Sequence, residues 1–340
     1  MNPGAISPIG GPAPAYPEGW FQVCYSDELE IGGVMRKHYF GRELVVFRTE
    51  SGVVQVLNAH CVHLGANLAV GGRVIGEHIR CPFHAWEYGT DGFCKHIPYS
   101  SNVPKAAAVP AWPTHEEAGI VYFWHSAEGN DAHWDVPAIP EYGDDAWNGY
   151  LRYQWILKTT IQEVCENAVD AAHIPAVHSN GNAMPPVDYE WNENSFNFNF
   201  RFGDAGMNSS HGAAKHHGTY YGLGLSISRS EGMGSSMFLT TRTPIDENML
   251  EVRYAMLTAV STPEDPTGEI SLLNAQHVPV EFAKDIDIWE NKVYLPTPMV
   301  CTGDGPIGPF RRWARNFFPK SDFPHRSAVE NMAEVQHAAE

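Results

Sequence analysis

Two short segments, Cys61-Val62-His63 and Cys81-Pro82-Phe83-His84, are separated by seventeen residues and decide the fold of this chain. Each segment places a thiolate and an imidazole close together, as expected at the tip of a turn. Two Cys and two His can bind a tetrahedral zinc ion, or a [2Fe–2S] cluster with two Cys on one iron and two His on the other. Zinc sites favour Cys-Cys and His-His pairs, whereas each segment here mixes the two. The spacing therefore favours the cluster, with each loop supplying one ligand to each iron.

Composition limits the classes of partner. The chain has 340 residues, with 22 basic and 40 acidic side chains and a net charge of −18. This balance argues against nucleic acid or an anionic membrane as a ligand, since both attract clustered Lys and Arg. No stretch approaches the ~18 apolar residues of a membrane helix, and the N-terminus does not resemble a signal peptide. We expect no transmembrane segment.

The other cysteines are not expected to form disulfides. A disulfide framework is typical of short secreted chains, and this chain is long with unevenly spaced cysteines. Reduced thiols and a cytoplasmic location are therefore expected. The four cysteines outside the two metal-binding segments are interpreted as small buried or incidental residues, namely Cys24, Cys94, Cys165 and Cys301.

The pattern of apolar residues predicts an α+β protein with an all-β first half. Short apolar runs joined by turns, such as the hairpin 44–57, indicate strands, and strand composition returns over 195–260. Helices are predicted at 160–173, 281–292 and 309–318. The predicted organisation is a flexible arm (1–16), a small β domain (17–135), a linker (136–149), a second domain (150–320) and a polar tail (321–340).

A second metal site is predicted in the second half of the chain. Asn167, Asp170 and His173 recur at i, i+3 and i+6, so they would share one helix face. Pro175 is expected to end or kink this helix and to bring His178 toward His173. Two imidazoles and one carboxylate, with open positions, form the facial triad of non-haem Fe(II) oxygenases.

The third ligand of that triad is expected from a later helix. Asp285 would share a face with Phe282 and Trp289 and point inward, where a carboxylate is costly unless it binds a cation. Asp287 would lie on the solvated face. We therefore choose Asp285 as the ligand and keep Asp287 as the alternative.

A further histidine pair has the same spacing as His173 and His178. His211 and His216, with His217 adjacent, lie among Ser and Gly and lack an acidic residue three positions upstream. We interpret this stretch as a mobile loop and keep a contact with substrate or metal as the minor alternative.

These motifs together resemble the oxygenase components of Rieske non-haem iron oxygenases, above all the 3-ketosteroid 9α-hydroxylases and the Rieske cholesterol 7-desaturases. The resemblance covers nearly the whole chain. It rests on the two Cys/His loops, on the pattern Glu166-Asn167-x-x-Asp170-x-x-His173-x4-His178 and on Lys284-Asp285-x-x-Ile288-Trp289-Glu290-Asn291-Lys292. A further match runs from Gly303-Asp304-Gly305-Pro306 through Arg311-Arg312-Trp313.

The resemblance implies a Rieske domain followed by a helix-grip (START/Bet v1-like) catalytic domain around an apolar cavity, in a head-to-tail homotrimer. It further implies one [2Fe–2S] cluster on Cys61, His63, Cys81 and His84, and one mononuclear iron. In this scheme Asp170 bridges His173 to a cluster histidine, His84, of the neighbouring subunit. Asn167 and Asp170 would then be functional residues without being iron ligands.

The activity implied by the resemblance is that of the terminal oxygenase of a multicomponent monooxygenase, which uses O₂ to hydroxylate a steroid or sterol. The electrons would come from an external NAD(P)H-dependent, ferredoxin-type reductase, because this chain lacks a Gly-rich dinucleotide fingerprint. Three alternatives stay open. They are a dioxygenase or demethylase of an aromatic or other non-steroid substrate, a Rieske electron carrier, and a sterol-binding module without oxygenase activity.

Overall fold

The structure, a computed structural model, describes residues 14–178, 187–202, 214–232, 234–301 and 303–322. Within these ranges, the first half of the chain contains strands and one short 3-10 helix, Ser26–Glu28. The second half combines a seven-stranded antiparallel sheet with a few helices. The predicted α+β class is therefore confirmed.

The first half is built from three small sheets. One has the order β2-β3-β4-β9, the next β5-β6-β7-β8, and the third β1-β11-β10. The predicted hairpin is present, since β3 and β4 pair antiparallel across a turn in which the Gly52 N–H donates to the Thr49 carbonyl. The strands are β1 (Gly19–Tyr25), β2 (Val34–Tyr39), β3 (Arg42–Arg48), β4 (Val54–Asn58), β5 (Arg73–Ile75), β6 (His78–Arg80), β7 (Glu87–Tyr88), β8 (Cys94–His96), β9 (Ala111–Trp112), β10 (Thr114–Glu117) and β11 (Ile120–His125).

The second half is organised by one large sheet of order β12-β18-β17-β16-β15-β14-β13. Its strands alternate apolar and polar residues, so the two faces have different partners. The strands are β12 (Leu151–Leu157), β13 (Asp188–Trp191), β14 (Ser195–Phe202), β15 (Ala214–Tyr221), β16 (Leu225–Gly232), β17 (Ser236–Asp246) and β18 (Met249–Thr258).

The helices differ from the prediction in their lengths. The helix expected over 160–173 ends early: α1 covers Ile161–Glu166, turns follow, and a π-helical turn spans Ile174–His178. Pro175 therefore lies inside that turn rather than ending α1. The helix expected at 281–292 begins twelve residues earlier, because α2 (Glu269–Asn291) accommodates Pro279.

The third predicted helix is also shifted and shorter than expected. α3 spans Ile307–Ala314, and a 3-10 turn, Arg315–Phe317, continues it. A last 3-10 turn covers Lys320–Asp322. The apolar residues Phe310 and Trp313 of α3 are buried in the core cluster that also contains Phe282 and Trp289 of α2.

The two halves pack against each other through the outer face of the large sheet. Leu225, Ile227, Met237 and Leu239 are buried there against the aromatic residues Trp20, Tyr122 and Trp124 of β1 and β11. Buried polar contacts cross the same interface: Thr241 Oγ1 donates to Gln22 Oε1 at 2.5 Å, and the Tyr39 hydroxyl donates to the Glu251 carboxylate at 3.1 Å. The opposite, inner face is left for α2, α3 and the site.

The segment 136–149 contains no regular strand or helix among its residues, all of which are described. It is nevertheless well packed, since Val136 and Ile139 are buried and Glu141 forms an ion pair with Arg229. The domain limits given above stay predictions, and most of the arm and of the tail lies outside the described residues.

Candidate metal centres and active site

The two Cys/His segments occupy two loops with the same backbone pattern. Cys61 and His63 follow β4, whereas Cys81 and His84 lie between β6 and β7. In the first loop the Gly65 N–H donates to the Cys61 carbonyl at 2.9 Å, and in the second the Ala85 N–H donates to the Cys81 carbonyl at 3.1 Å. Gly65 and Ala85 both have positive φ, 76° and 57°. Because an alanine seldom adopts this conformation, the second loop is held in a strained turn.

The side chains of these loops face one another. The rings of His63 and His84 lie 4.6 Å apart between centroids, and His63 stacks on Trp86 at 4.7 Å. The Cys61 sulfur lies 3.0 Å from the Tyr88 hydroxyl and interacts with the Cys81 thiol. Burial raises the pKa of the Cys81 thiol, while the backbone N–H groups of Phe83 and His84 act in the opposite direction.

This arrangement fits a two-iron cluster. His63 Nδ1 is buried and has no hydrogen-bond partner among the described residues, so the imidazole presents an orphaned nitrogen as a ligand. Backbone N–H groups near the sulfurs favour thiolates. The only described group of three His, Cys, Asp or Glu donors that all lie within 4.8 Å of one another is elsewhere in the chain. Two thiols and two imidazoles on facing loops form the donor set of a [2Fe–2S] cluster with Cys on one iron and His on the other.

That convergent group consists of His173, His178 and Asp285, whose donor atoms lie within 4.8 Å of one another. His178 Nε2 is 3.3 Å from Asp285 Oδ2, and the two imidazole rings lie 5.3 Å apart. The π-helical turn supplies His178, and α2 supplies Asp285 from 107 positions later in the chain. Two imidazoles and one carboxylate that converge in this way are the donor set of a non-haem iron site.

Asp285 occupies the inward position that the helix pattern predicts. It is 6 % exposed, and Phe282 and Trp289 on the same face of α2 are also buried, whereas Asp287 is exposed. Burial raises the pKa of Asp285, and the neighbouring His178 and His173 act against this rise. A buried carboxylate with two imidazoles beside it is the environment that a divalent cation would stabilise.

The backbone fixes the orientation of His173. Its Nδ1 lies 2.5 Å from the Asp170 carbonyl oxygen, so Nδ1 is the protonated nitrogen and Nε2 carries the lone pair. The Asn167 side-chain amide lies 3.2 Å from that Nε2. Asn167 therefore sits at the edge of the site, next to the ligand atom of His173.

Asp170 lies beside the site without belonging to its ligand set. Its carboxylate accepts a hydrogen bond from the His173 backbone N–H at 3.3 Å, and its Oδ2 is 3.9 Å from His173 Nδ1. The side chain is 37 % exposed, so part of the carboxylate is accessible. This accessible part is available to a group from another chain.

Glu281 is a site residue that the sequence analysis missed. Its carboxylate lies 3.2 Å from His178 Nδ1 and also accepts hydrogen bonds from Lys284 Nζ at 2.8 Å. Burial opposes ionisation of Glu281, but the hydrogen bonds from Lys284 and His178 lower its pKa. The carboxylate thus fixes the Nδ1–H tautomer of His178 and leaves Nε2 for a metal. The signal was its position, one helical turn before Asp285 on α2.

Buried ion pairs join the three helices around the site. Glu166, at the end of α1, forms a bidentate pair with Arg311 of α3 at 2.6 and 2.8 Å. Glu163 of α1 pairs with Lys292, just after α2. These contacts hold the segment that carries His173 against the helix that carries Asp285.

A cavity of about 180 Å³ adjoins the triad. Asn167 and Asp170 line it on the metal side, and Tyr189, Phe198, Phe200 and His216 line it on the sheet side. His216 and His217 belong to β15, so the prediction of a mobile loop is wrong for these two residues, while His211 lies outside the described residues. The sheet pairing overrides the Ser- and Gly-rich composition that suggested a loop.

Two protein families match separate parts of the chain. Residues 19–112 match the Rieske [2Fe-2S] domain family, and residues 123–318 match the 3-ketosteroid 9alpha-hydroxylase C-terminal domain family. A 3-ketosteroid-9-alpha-monooxygenase oxygenase component of Rhodococcus rhodochrous is 30 % identical over 91 % of this chain and 82 % of the relative. A cholesterol 7-desaturase of Bombyx mori is 29 % identical over 94 % of this chain and 73 % of the relative.

Solved structures share the fold at lower identity. NdmA of Pseudomonas putida CBB5, solved with caffeine, superposes with a TM-score of 0.72 at 20 % identity, covering 87 % of this chain and 89 % of that one. Dicamba monooxygenase bound to dicamba gives a TM-score of 0.65 at 15 % identity, covering 90 % and 98 %. These similarities concern the architecture.

Proposed function

Since the chain belongs to the Rieske non-haem iron monooxygenases with a 3-ketosteroid 9α-hydroxylase C-terminal domain, we propose that it hydroxylates a steroid or sterol. The protein carries a [2Fe–2S] cluster and a mononuclear iron as cofactors. We assign the cluster to Cys61, His63, Cys81 and His84, and the iron to His173, His178 and Asp285. The convergence of this triad beside a largely apolar cavity is the observation that carries the proposal.

The reaction joins one oxygen atom of O₂ to a substrate carbon. A C–H bond, O₂, two electrons and two protons yield C–OH and water, and the bound iron supplies the oxygen-activating chemistry. The electrons come from an external reductase, as the oxygenase component of such a system requires. We propose an NAD(P)H-dependent, ferredoxin-type reductase in this role.

The residues of this chain organise that chemistry. The Asp170 carbonyl and the Glu281 carboxylate hold the two imidazoles as tautomers whose Nε2 is unprotonated, and Asp285 adds a negative charge to the site. Tyr189, Phe198 and Phe200 give the substrate an apolar surface and exclude water from the reacting carbon. Asn167 stands next to the metal side of the cavity, where its amide is a hydrogen-bonding group for an incoming ligand.

We further propose that the working unit is a head-to-tail homotrimer. Val62, Leu64 and Phe83 are large apolar side chains exposed at the tips of the cluster loops. A second copy of this chain would cover them and would bring a cluster histidine, His84, to the accessible part of the Asp170 carboxylate. A solution mass about three times the chain mass of 37.7 kDa is expected by light scattering. A monomer that retains full turnover would contradict this assembly.

A cytoplasmic location also belongs to the proposal. In the described part of the chain, no helix combines the length and apolar character that crossing a membrane requires. None of the six cysteines, all within the described residues, is paired in a disulfide, and five of them are buried. Free buried thiols suit a reducing compartment.

A direct test reconstitutes both metal sites anaerobically and adds a generic reductase, NADH and air. Sterols and ketosteroids are supplied as a panel, together with aromatic acids and N-methylated heterocycles of comparable size. Mass spectrometry is expected to detect a steroid product that gains one oxygen atom. Turnover of only the aromatic or N-methyl compounds would overturn the substrate class, and cluster reduction without any product would favour an electron carrier.

A further inference from the structure

The inner face of the large sheet has an apolar part and a hydroxyl-bearing part. Phe196, Phe198 and Phe200 alternate along β14 and face the same side. Two strands away, Ser226, Ser228 and Ser230 alternate along β16. β15 lies between them, and its register places His216 opposite both Phe200 and Ser230. His216 therefore lies at the boundary between the apolar part and the hydroxyl-bearing part of this face.

The surroundings of His216 keep its ring neutral and ordered. Its Nδ1 lies 2.7 Å from Ser230 Oγ, and its ring contacts that of Phe200 at 4.7 Å between centroids. Burial lowers the pKa of His216 to about 4. At neutral pH the ring thus offers one N–H donor and one lone-pair acceptor.

One nitrogen of this ring is uncommitted. Nε2 has no hydrogen-bond partner among the described residues, and His216 lines the cavity. The other polar side chain that the sheet contributes to the described lining is Tyr189, whose hydroxyl already donates to the Ala168 carbonyl at 3.2 Å. Asn167 and Asp170 lie on the metal side instead. His216 is thus the polar side chain that the sheet offers to a substrate in the cavity.

We propose that His216, supported by Ser230, hydrogen-bonds an oxygen substituent of the substrate and so sets which steroids bind and how they are oriented. This inference rests on the proposed function, because it assumes a steroid in the cavity. It names a specificity-determining residue on the side of the cavity opposite Asn167 and Asp170.

The pair can adapt to two kinds of oxygen. If the Ser230 hydroxyl donates to Nδ1, then Nε2 carries the hydrogen and can donate to a ketone. If Nδ1 donates to Ser230 Oγ instead, Nε2 accepts from an alcohol. A serine hydroxyl rotates freely enough to serve either arrangement. One site can therefore bind 3-ketosteroids and 3-hydroxysterols, whereas a hydrocarbon end would leave a buried nitrogen unpaired.

The test measures anaerobic binding to the enzyme loaded with both cofactors. The probes are three steroids of one ring skeleton that bear a 3-ketone, a 3-hydroxyl or no oxygen at that carbon. Wild type is expected to bind the two oxygenated steroids about tenfold more tightly than the hydrocarbon. His216→Phe matches the neighbouring phenylalanines in shape but cannot form the hydrogen bond. It should therefore reduce the ratio of affinities, oxygenated steroid over hydrocarbon, to about one.

Two further variants control for shape and folding. His216→Gln keeps a polar group near the position of Nε2 and should restore part of the preference, which a purely structural role would not do. His217→Phe changes the adjacent residue of β15, whose side chain faces the other side of the sheet, and should keep the wild-type ratio. Cluster absorption and iron content verify that each variant is folded and loaded.

The outcomes separate this inference from the proposed function. An unchanged ratio in folded His216→Phe would overturn the role of His216 while leaving a steroid oxygenase intact. A ratio that falls equally in His217→Phe would also overturn it. Wild type that binds none of the three steroids would overturn the proposed substrate class itself.

Discussion

The proposed cluster site and the proposed iron site are built in opposite ways. Cys61, His63, Cys81 and His84 come from two similar loops within one small β region, and backbone hydrogen bonds shape each loop. His173 and His178 instead meet Asp285, which lies 112 and 107 positions later in the chain, and side-chain contacts such as Glu166–Arg311 hold the helices together. The first site depends on local backbone geometry, whereas the second depends on long-range packing.

The strongest test of this difference removes one ligand from each site. His173→Ala is expected to lose the mononuclear iron and to abolish turnover, because the bound iron supplies the oxygen-activating chemistry. The visible absorption of the cluster should stay unchanged. Iron analysis, absorption spectra and turnover are measured together, and unchanged turnover would contradict the iron assignment.

The reciprocal variant is Cys61→Ala. We expect it to bleach the cluster and to abolish electron supply, while the mononuclear site still binds one iron. Persisting two-iron absorption would contradict the assignment of the cluster to these two loops. Loss of both metals in either variant would show that the two sites fold as one unit, and would contradict their separate dependence on local backbone geometry and on long-range packing.

Breaking the buried Glu166–Arg311 pair should produce the next largest effect. Arg311→Ala leaves a buried carboxylate without its cation, which costs about 3–5 kcal/mol of unfolding free energy. Unfolding is followed by denaturant titration, with cluster absorption reporting separately on the first half. Arg36→Ala is the control, because its solvent-exposed pair with Glu43 is screened by water and should add little to stability. Equal losses of unfolding free energy in the two variants would contradict the stabilising role of the Glu166–Arg311 pair.

Glu281→Gln should weaken the iron site without unfolding it. Loss of the carboxylate that orients His178 is expected to reduce iron affinity about 10- to 100-fold. Titration of the iron-free site with Fe(II) measures this directly. Asp287→Asn changes an exposed carboxylate of the same helix and should leave the affinity unchanged. An iron loss in Asp287→Asn, with Asp285→Asn unaffected, would move the third ligand to Asp287.

The smallest predicted effect concerns the two cluster loops. Gly65→Ala adds a methyl group at φ 76°, where no heavy atom lies within 4 Å of the new Cβ. Only backbone strain remains, so a destabilisation of about 1 kcal/mol is expected. The thermal midpoint of cluster bleaching measures it, with Ala85→Gly as the converse change. A steric collapse of the Gly65→Ala loop would show that the two loops are not equivalent.

The sequence was most informative where function needs neighbouring residues. The Cys/His loops, the hairpin and the inward face of Asp285 follow from spacing and periodicity alone. The early end of α1 does not, because turns after Glu166 replace helix that the polar spacing suggested. The helix through Pro279 and the strand that contains His216 were not predicted for the same reason, since tertiary contacts there override local preference. Glu281 became visible only when its carboxylate was seen beside His178.

The two-residue period of β16 and β17 has an evolutionary consequence. Leu225 and Ile227 are committed to the interface with the first half, whereas Ser226 and Ser228 face the opposite side. A lineage can therefore exchange inward residues of the sheet without altering the outward contacts with the first half. A combinatorial library restricted to inward residues that line the cavity, such as Phe198 and Phe200, would sample new selectivity and leave that interface unchanged.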